Sequence, residues 1–211
     1  MSKSKGNILN PIEIINIYGV DELRYYLMKE VSHGSDGNIS LQSLENCINS
    51  DLANNYGNLC QRIFAFIKNN CNNEVIKSSD TSEVDQKLKN ETLNLTKELR
   101  NEMENQNLNN YIKSVIKISF LTNKYINDEE PWKLKNDNKT KMNNILHISL
   151  EQIAKISILL NPIIPKATNK VLDALNLKND LRNLSFLDGS SVLPSKIKTK
   201  NLEILFKKIQ K

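Results

Sequence analysis

The sequence predicts a mainly α-helical protein, because three features of the chain favour long helices. Apolar residues recur at every third or fourth position over long stretches, which is the spacing of one helix face. Glycine and proline, the residues that punctuate turns, number only 6 and 5 among 211 residues. Most of the prolines, at positions 11, 131, 162 and 165, stand where helices are expected to begin or end.

Residues 1–40 are expected to form a small mixed α/β unit. Asn10 and Pro11 predict a helix start, since asparagine caps helices well and proline suits the first helical position. Asp21 is expected to cap a second helix in the same way. The stretch 32–38 is rich in Gly, Ser, Asp and Asn, which predicts a turn, and short extended pieces are expected beside it.

Residues 41–211 are predicted to form a bundle of four or five amphipathic helices joined by short polar links. The apolar positions with helical spacing lie within 41–66, 84–99, 108–125, 142–160 and 171–175. A polar linker is predicted at 69–82, and an amphipathic stretch at 202–209 ends the chain. The sequence therefore predicts two units, 1–40 and 41–211.

Charge and cysteine content limit the classes of function. The net charge of +5 and the pI of about 9.0 suit a polyanionic partner such as nucleic acid. Cys47, Cys60 and Cys71 are odd in number and form no C-x-x-C pair, so neither a disulfide framework nor a metal site is predicted. Unpaired cysteines favour the reducing cytoplasm. No apolar run approaches the ~18 residues of a membrane span, so no membrane association is expected.

Two sequence segments suggest phosphate or RNA binding. The first residues include Ser2, Lys3 and Ser4, whose hydroxyls and ammonium group suit a polyphosphate, although such a start is by itself more typical of a disordered terminus. Asn58 and Arg62 are four residues apart and therefore share one helix face. An amide beside a guanidinium can contact base edges and a phosphate together. The alternative is a solvated arginine on a helix of structural role.

Trp132, the only tryptophan, stands at a predicted helix break beside proline. A lone tryptophan in such a position is usually a core anchor. The surrounding segment is polar, with acids before it and lysines after it, so an exposed stacking platform for an unpaired base is the other reading.

These motifs together resemble the class I aminoacyl-tRNA synthetases, and among them the methionyl-tRNA synthetase family. The first residues of the chain resemble that family's K-M-S-K-S loop from its second residue onward, so the first lysine of the loop is missing. The segments 6–11 and 20–27 resemble the run that follows the loop. The sequence Gly-Asn-Leu-x-x-Arg at 57–62 resembles the anticodon-reading helix of the family. Trp132 matches its stacking tryptophan, and the segment 159–165 resembles a proline-rich helix break common to several class I synthetases.

The resemblance implies a function for each motif. Asn58, Arg62 and Trp132 would contact the C-A-U anticodon of methionine tRNA. Lys3, with Ser2 and Ser4, would belong to the loop that stabilises the phosphates of ATP, used with Mg²⁺ in the parent enzyme. The H-I-G-H signature, the nucleotide-binding domain and the zinc-bearing insertion have no counterpart in the sequence. We therefore expect this chain to bind tRNA as part of a longer enzyme, and by itself to need no cofactor and activate no methionine.

Two other functions remain open at this stage. The chain could be the tail of another class I synthetase, such as the one for cysteine or leucine, which would not discriminate for C-A-U. It could also be a helical assembly module whose basic surface binds no specific RNA. The sequence leaves the oligomeric state undetermined.

Overall fold

The computed structural model describes residues 10–31, 39–78 and 81–210. Within those ranges the protein is mainly α-helical, as the sequence predicted, with one sheet of two strands. The helices are α1 (Pro11–Tyr18), α2 (Val20–Glu30), α3 (Leu41–Cys47), α4 (Asn58–Asn70), α5 (Glu83–Glu104), α6 (Leu108–Glu129), α7 (Lys139–Leu160) and α8 (Pro165–Ala174). In the sheet, β1 (Glu74–Ile76) pairs antiparallel with β2 (Lys196–Lys198).

The start of α1 follows the predicted capping pattern. The Asn10 side chain accepts a hydrogen bond from the Ile12 backbone N–H and donates one to the Glu13 carboxylate. Gly19 then ends the helix with a φ of +114°, a conformation that favours glycine. Both elements within 10–31 are helices, and the turn expected at 32–38 lies outside the described residues.

The expectation that Asp21 caps α2 is wrong. The helix already begins at Val20, and the buried Asp21 carboxylate instead accepts a hydrogen bond of 2.7 Å from the Ala167 backbone N–H. Ala167 lies in the first turn of α8, whose N–H groups have no partner within that helix. Asp21 therefore stabilises the start of a helix 146 residues away along the chain, and capping rules that use neighbouring residues cannot anticipate it.

Helices α5, α6 and α7 form the centre of the predicted bundle. Asp85, at the start of α5, accepts hydrogen bonds from Tyr125 near the end of α6 and from Asn144 near the start of α7. Helix α6 therefore runs opposite to its two neighbours. Almost every residue of α7 from Met142 onward is buried, which is expected of a helix enclosed by others on all sides.

A π-helical segment (Ile48–Gly57) joins α3 and α4 into one continuous helix. The Asn58 N–H bonds to the Ala53 carbonyl five residues earlier, as in a π-helix. A β-carbon on Gly57 would lie 2.7 Å from the Leu52 carbonyl oxygen, so the wider turn has room only for glycine at this position.

The tail segment (residues 199–210) forms no helix in spite of its amphipathic pattern. The Phe206 ring packs against Tyr56 with the ring centroids 6.4 Å apart. The Ile209 backbone exchanges two hydrogen bonds of 2.8 and 3.0 Å with the Asn49 side chain. The apolar residues of the tail segment thus cover the π-helical segment.

The three cysteines differ in burial. Cys47 and Cys60 are buried and Cys71 is half-buried, and all three are free thiols. Burial raises the pKa of the Cys47 thiol to about 12, so this group is a small apolar residue at neutral pH. None of the helices in the described part of the chain is long and apolar enough to cross a membrane.

Candidate nucleic-acid interface

The structure brings Arg62 and Trp132 together. Asn58 is the first residue of α4 and is exposed, and Arg62 follows one turn later, half-buried, on the same helix face. Trp132 lies in a short 3₁₀ turn (Pro131–Leu134) between α6 and α7. The three side chains that the sequence singled out for RNA binding come from two elements about 70 residues apart, and at least two of them are in contact.

The contact between Arg62 and Trp132 is a cation–π interaction. The guanidinium carbon of Arg62 lies 5.8 Å from the centre of the Trp132 ring, within the ~6 Å range of this interaction. The Trp132 side chain remains 41% exposed. The indole is therefore neither a buried core anchor nor free in solvent, and part of its surface is available to a planar ligand such as an unpaired base.

The backbone around Trp132 explains its exposure. Glu130 ends α6 in the left-handed conformation, with a φ of +43° that is uncommon for residues other than glycine. Pro131 is buried and starts the 3₁₀ turn with its fixed φ. The chain therefore reverses between α6 and α7 with Pro131 directed inward and Trp132 outward.

Asn127 contacts the candidate interface, and the sequence analysis did not identify it. Its side-chain oxygen accepts a hydrogen bond of 2.8 Å from Nη2 of Arg62, which fixes one edge of the guanidinium. The remaining N–H donors of Arg62 can still bind a phosphate or a base edge, because a guanidinium carries five of them. Asn127 therefore orients Arg62 beside the exposed indole.

Asn127 also ends a polar row (Ser119, Asn123 and Asn127) at four-residue spacing along α6. Ser119 and Asn123 each donate a hydrogen bond of 2.9 Å to the side-chain oxygen of Asn55, which is buried in the π-helical segment. The polar row thus holds the segment before α4 against α6. The four-residue recurrence of polar side chains in an otherwise apolar helix face is the signal in the sequence that could have identified it.

Each acid beside Trp132 is paired with a lysine at 2.7 to 2.9 Å. The pairs are Lys124–Asp128, Lys141–Glu129 and Lys133–Glu130. Their lysines are exposed, and ion pairs at the surface contribute little stability. The lysines balance three negative charges that would otherwise repel a polyanion from the indole. The acidic residues in this segment are therefore compatible with a nearby RNA ligand.

Ser2, Lys3 and Ser4 lie outside the described residues. Across the described ranges, no group of three or more His, Cys, Asp or Glu side chains is arranged to hold a metal ion.

Two protein-family models match the chain. The model described as tRNA synthetases class I (M) matches residues 1–64. The model described as the anticodon binding domain of methionyl tRNA ligase matches residues 75–211. Together they cover nearly the whole sequence, and the second alone covers more than half of it.

Individual relatives agree with the family models. A methionine–tRNA ligase of Brucella suis is 34% identical over 200 residues, which cover 92% of this chain and 39% of the relative. One of Caldanaerobacter subterraneus is 35% identical over 99% of this chain and 33% of its own length. A solved structure of Mycobacterium tuberculosis methionyl-tRNA synthetase with methionyl-adenylate matches with a TM-score of 0.90 and 27% identity, covering 98% of this chain and 41% of that one. The chain thus spans about two fifths or less of the length of these relatives.

Proposed function

Since the chain belongs to the methionyl-tRNA ligase family and carries that family's anticodon-binding domain, we propose that it binds the anticodon loop of methionine tRNA and discriminates for C-A-U. The contact between Arg62 and the partly exposed Trp132 carries the proposal. It combines a cation with a stacking surface, the pair of groups that single-stranded RNA recognition needs.

The proposed roles follow from the chemistry of each side chain. Trp132 stacks on one unpaired anticodon base through its exposed face. Arg62 uses the donors that Asn127 leaves free to bind a phosphate or an acceptor on a base edge. Asn58 lies one turn away on the same face, and its amide can pair with both a donor and an acceptor of a second base.

We also propose the activity of the whole protein from its family. It attaches methionine to tRNA with the use of ATP and Mg²⁺ in the cytoplasm, and the anticodon contacts position the tRNA for that reaction. In this proposal residues 1–40 form the signature loop and connector, with Ser2, Lys3 and Ser4 contacting ATP phosphates. Residues 41–211 form the anticodon-binding domain, whose first helical stretch starts at Leu41 and packs on α6 and α7.

A binding comparison tests the proposal. The 211-residue chain is titrated with an anticodon stem-loop carrying C-A-U and with one in which a single anticodon base is changed, at several salt concentrations. The changed base is expected to reduce the free energy of binding by about 1–3 kcal/mol, which raises Kd roughly 5- to 150-fold, at each salt concentration. Equal and steeply salt-dependent binding of both loops would identify a basic module without anticodon recognition. Preference for another anticodon would identify a different synthetase.

A further inference from the structure

A cavity of about 260 Å³ with a mixed polar and apolar lining lies between α5, α7 and a 3₁₀ turn (Leu184–Asp188). This volume is far above the ~10–15 Å³ that one water molecule needs. Asn58, Arg62 and Trp132 do not line it, so the cavity is separate from the candidate interface for the anticodon.

The lining of the cavity is positively charged. Three lysines, Lys77, Lys89 and Lys155, line it together with a single carboxylate, that of Glu151. Lys155 approaches Glu151 at 3.5 Å, whereas neither Lys77 nor Lys89 forms an ion pair with a described residue. Two of the three ammonium groups at the cavity therefore make no direct ion pair with a described residue, and the lining carries more positive than negative charge.

The carboxylate of Glu151 is already occupied. Besides its contact with Lys155, it accepts hydrogen bonds of 2.7 and 2.9 Å from the backbone N–H groups of Val192 and Leu193, which join the segment before β2 to α7. Its oxygens are therefore engaged, and it acts on Lys89 only as a nearby charge without a direct contact. Burial lowers the pKa of Lys89, and the ammonium groups of Lys77 and Lys155 lower it further, against the carboxylates of Asp85 and Glu151. A bound anion would relieve this repulsion.

Two polar side chains of the lining are buried without a hydrogen-bond partner. The Oε1 of Gln152 and the Oγ1 of Thr92 form no hydrogen bond with a described residue, and these residues are only 1% and 2% exposed. Leaving such a group unpaired costs about the desolvation of that group, and native proteins contain few of them. Rotation about the broad terminal torsion of Gln152 can turn its oxygen toward a bound donor.

The tautomer of His147 adds another acceptor to the lining. Its Nε2 lies 2.8 Å from the Pro194 carbonyl oxygen, which can only accept, so Nε2 carries the proton. Burial lowers the pKa of His147, so the ring is neutral at pH 7 and its Nδ1 is an acceptor. The cavity thus combines an excess of positive charge with two buried oxygen atoms, of Gln152 and Thr92, that have no hydrogen-bond partner.

We propose that this cavity binds a small protonated phosphate, with inorganic phosphate as its simplest form. The anionic oxygens accept hydrogen bonds from Lys89 and Lys77, and the P–OH group donates one to the oxygen of Gln152. Sulfate has the same shape and charge but no proton to donate at neutral pH. An RNA backbone phosphate also lacks the proton, and a polynucleotide cannot reach side chains as buried as Gln152. The proposal therefore specifies a free phosphate.

Calorimetric titration of the 211-residue chain with sodium phosphate, at constant ionic strength, tests the site. We expect saturable binding of one phosphate, with sulfate weaker by at least about tenfold. Lys89→Gln should weaken phosphate binding by a similar factor. Lys97→Gln is the matched control, because Lys97 is an exposed lysine of the same helix that does not line the cavity, and it should leave binding unchanged.

A second variant tests the donor requirement. Gln152→Met keeps the side-chain volume and removes the acceptor, so it should abolish the preference for phosphate over sulfate while the fold, followed by circular dichroism, persists. Absence of saturable phosphate binding to the wild-type chain would overturn the proposal. So would an equal loss of binding in Lys97→Gln and Lys89→Gln, or an unchanged preference over sulfate in folded Gln152→Met. RNA that displaces phosphate from the cavity would identify the backbone as the ligand and refute a free phosphate.

Discussion

Replacement of Arg62 by alanine should weaken RNA binding while the protein remains folded. In the free protein the side chain makes one cation–π contact, worth about 0.5–1 kcal/mol at an exposed position, and one hydrogen bond, worth about 0.5–1.5 kcal/mol. We therefore expect a loss of about 1–2.5 kcal/mol in the free energy of unfolding. Binding of a C-A-U stem-loop should fall by about 1–3 kcal/mol, or roughly 5- to 150-fold in Kd.

Two further variants separate geometry from charge. Arg62→Lys keeps the charge but loses the planar fork, so it should recover only part of the affinity. Lys68→Ala removes one exposed positive charge from the same helix α4 and is the matched control. It should weaken binding of the stem-loop only by the amount expected for the loss of one surface charge. Fluorescence anisotropy gives the binding constants and urea unfolding gives the stabilities. If Arg62→Ala and Lys68→Ala weakened binding equally, or if folded Arg62→Ala bound normally, the assigned role of Arg62 would be refuted.

Three other substitutions test separate parts of the structure. Gly57→Ala places a β-carbon 2.7 Å from a backbone oxygen, so urea unfolding should give a loss of about 1–3 kcal/mol; the gain of up to ~1 kcal/mol usual for alanine in an open helix would contradict the close packing. Burial lowers the pKa of His147, so the unfolded state binds its proton more readily and stability falls as the pH drops through about 6.5. His147→Gln should reduce that fall, and an unchanged pH dependence would exclude this histidine as a source. Trp132→Ala should cost about 2–3 kcal/mol of stability, roughly three fifths of the ~3–5 kcal/mol of a fully buried tryptophan, because the ring is 41% exposed; a loss at or above the buried value would show a core anchor.

The sequence predicted those features of the fold that depend on neighbouring residues. The start of α1 follows from Asn10, Pro11 and Glu13, which are close enough along the chain to cap the helix by themselves. The long helices α5, α6 and α7 follow from apolar spacing. Asp21 shows the limit of this reasoning, since a residue typical of a helix cap finds its partner on a helix that is distant in sequence.

Long-range pairing explains most of what the sequence analysis did not predict. Strands β1 and β2 lie about 120 residues apart in sequence and have only three residues each, too few for a period-two pattern to stand out. The tail segment has helical spacing but covers the π-helical segment in an irregular conformation, held by Phe206 and Ile209. Tertiary contacts override local propensity in both cases.

In the candidate site, too, the features that depend on neighbouring residues were predicted, and those that depend on long-range contacts were not. Asn58 and Arg62 could be placed on one face from their spacing alone, but their roles in RNA binding rested on the resemblance to a family. Nothing in the spacing predicted that Trp132 lies against Arg62, or that Asn127 orients the guanidinium. Those contacts depend on how α4 and α6 pack, which the buried side chain of Asn55 helps to fix.

The fluorescence of Trp132 gives the most direct test of anticodon binding at this surface, because the chain has no other tryptophan. The wild-type chain is titrated with an unlabelled C-A-U stem-loop, with a single-base variant as control. The free protein should emit as a partly exposed indole. The matched loop should quench or shift that emission with the Kd measured by direct binding, since a stacked base covers the ring, and the variant loop should require roughly 5- to 150-fold higher concentration. Emission that stays constant while the matched loop binds would place the RNA elsewhere and contradict the account.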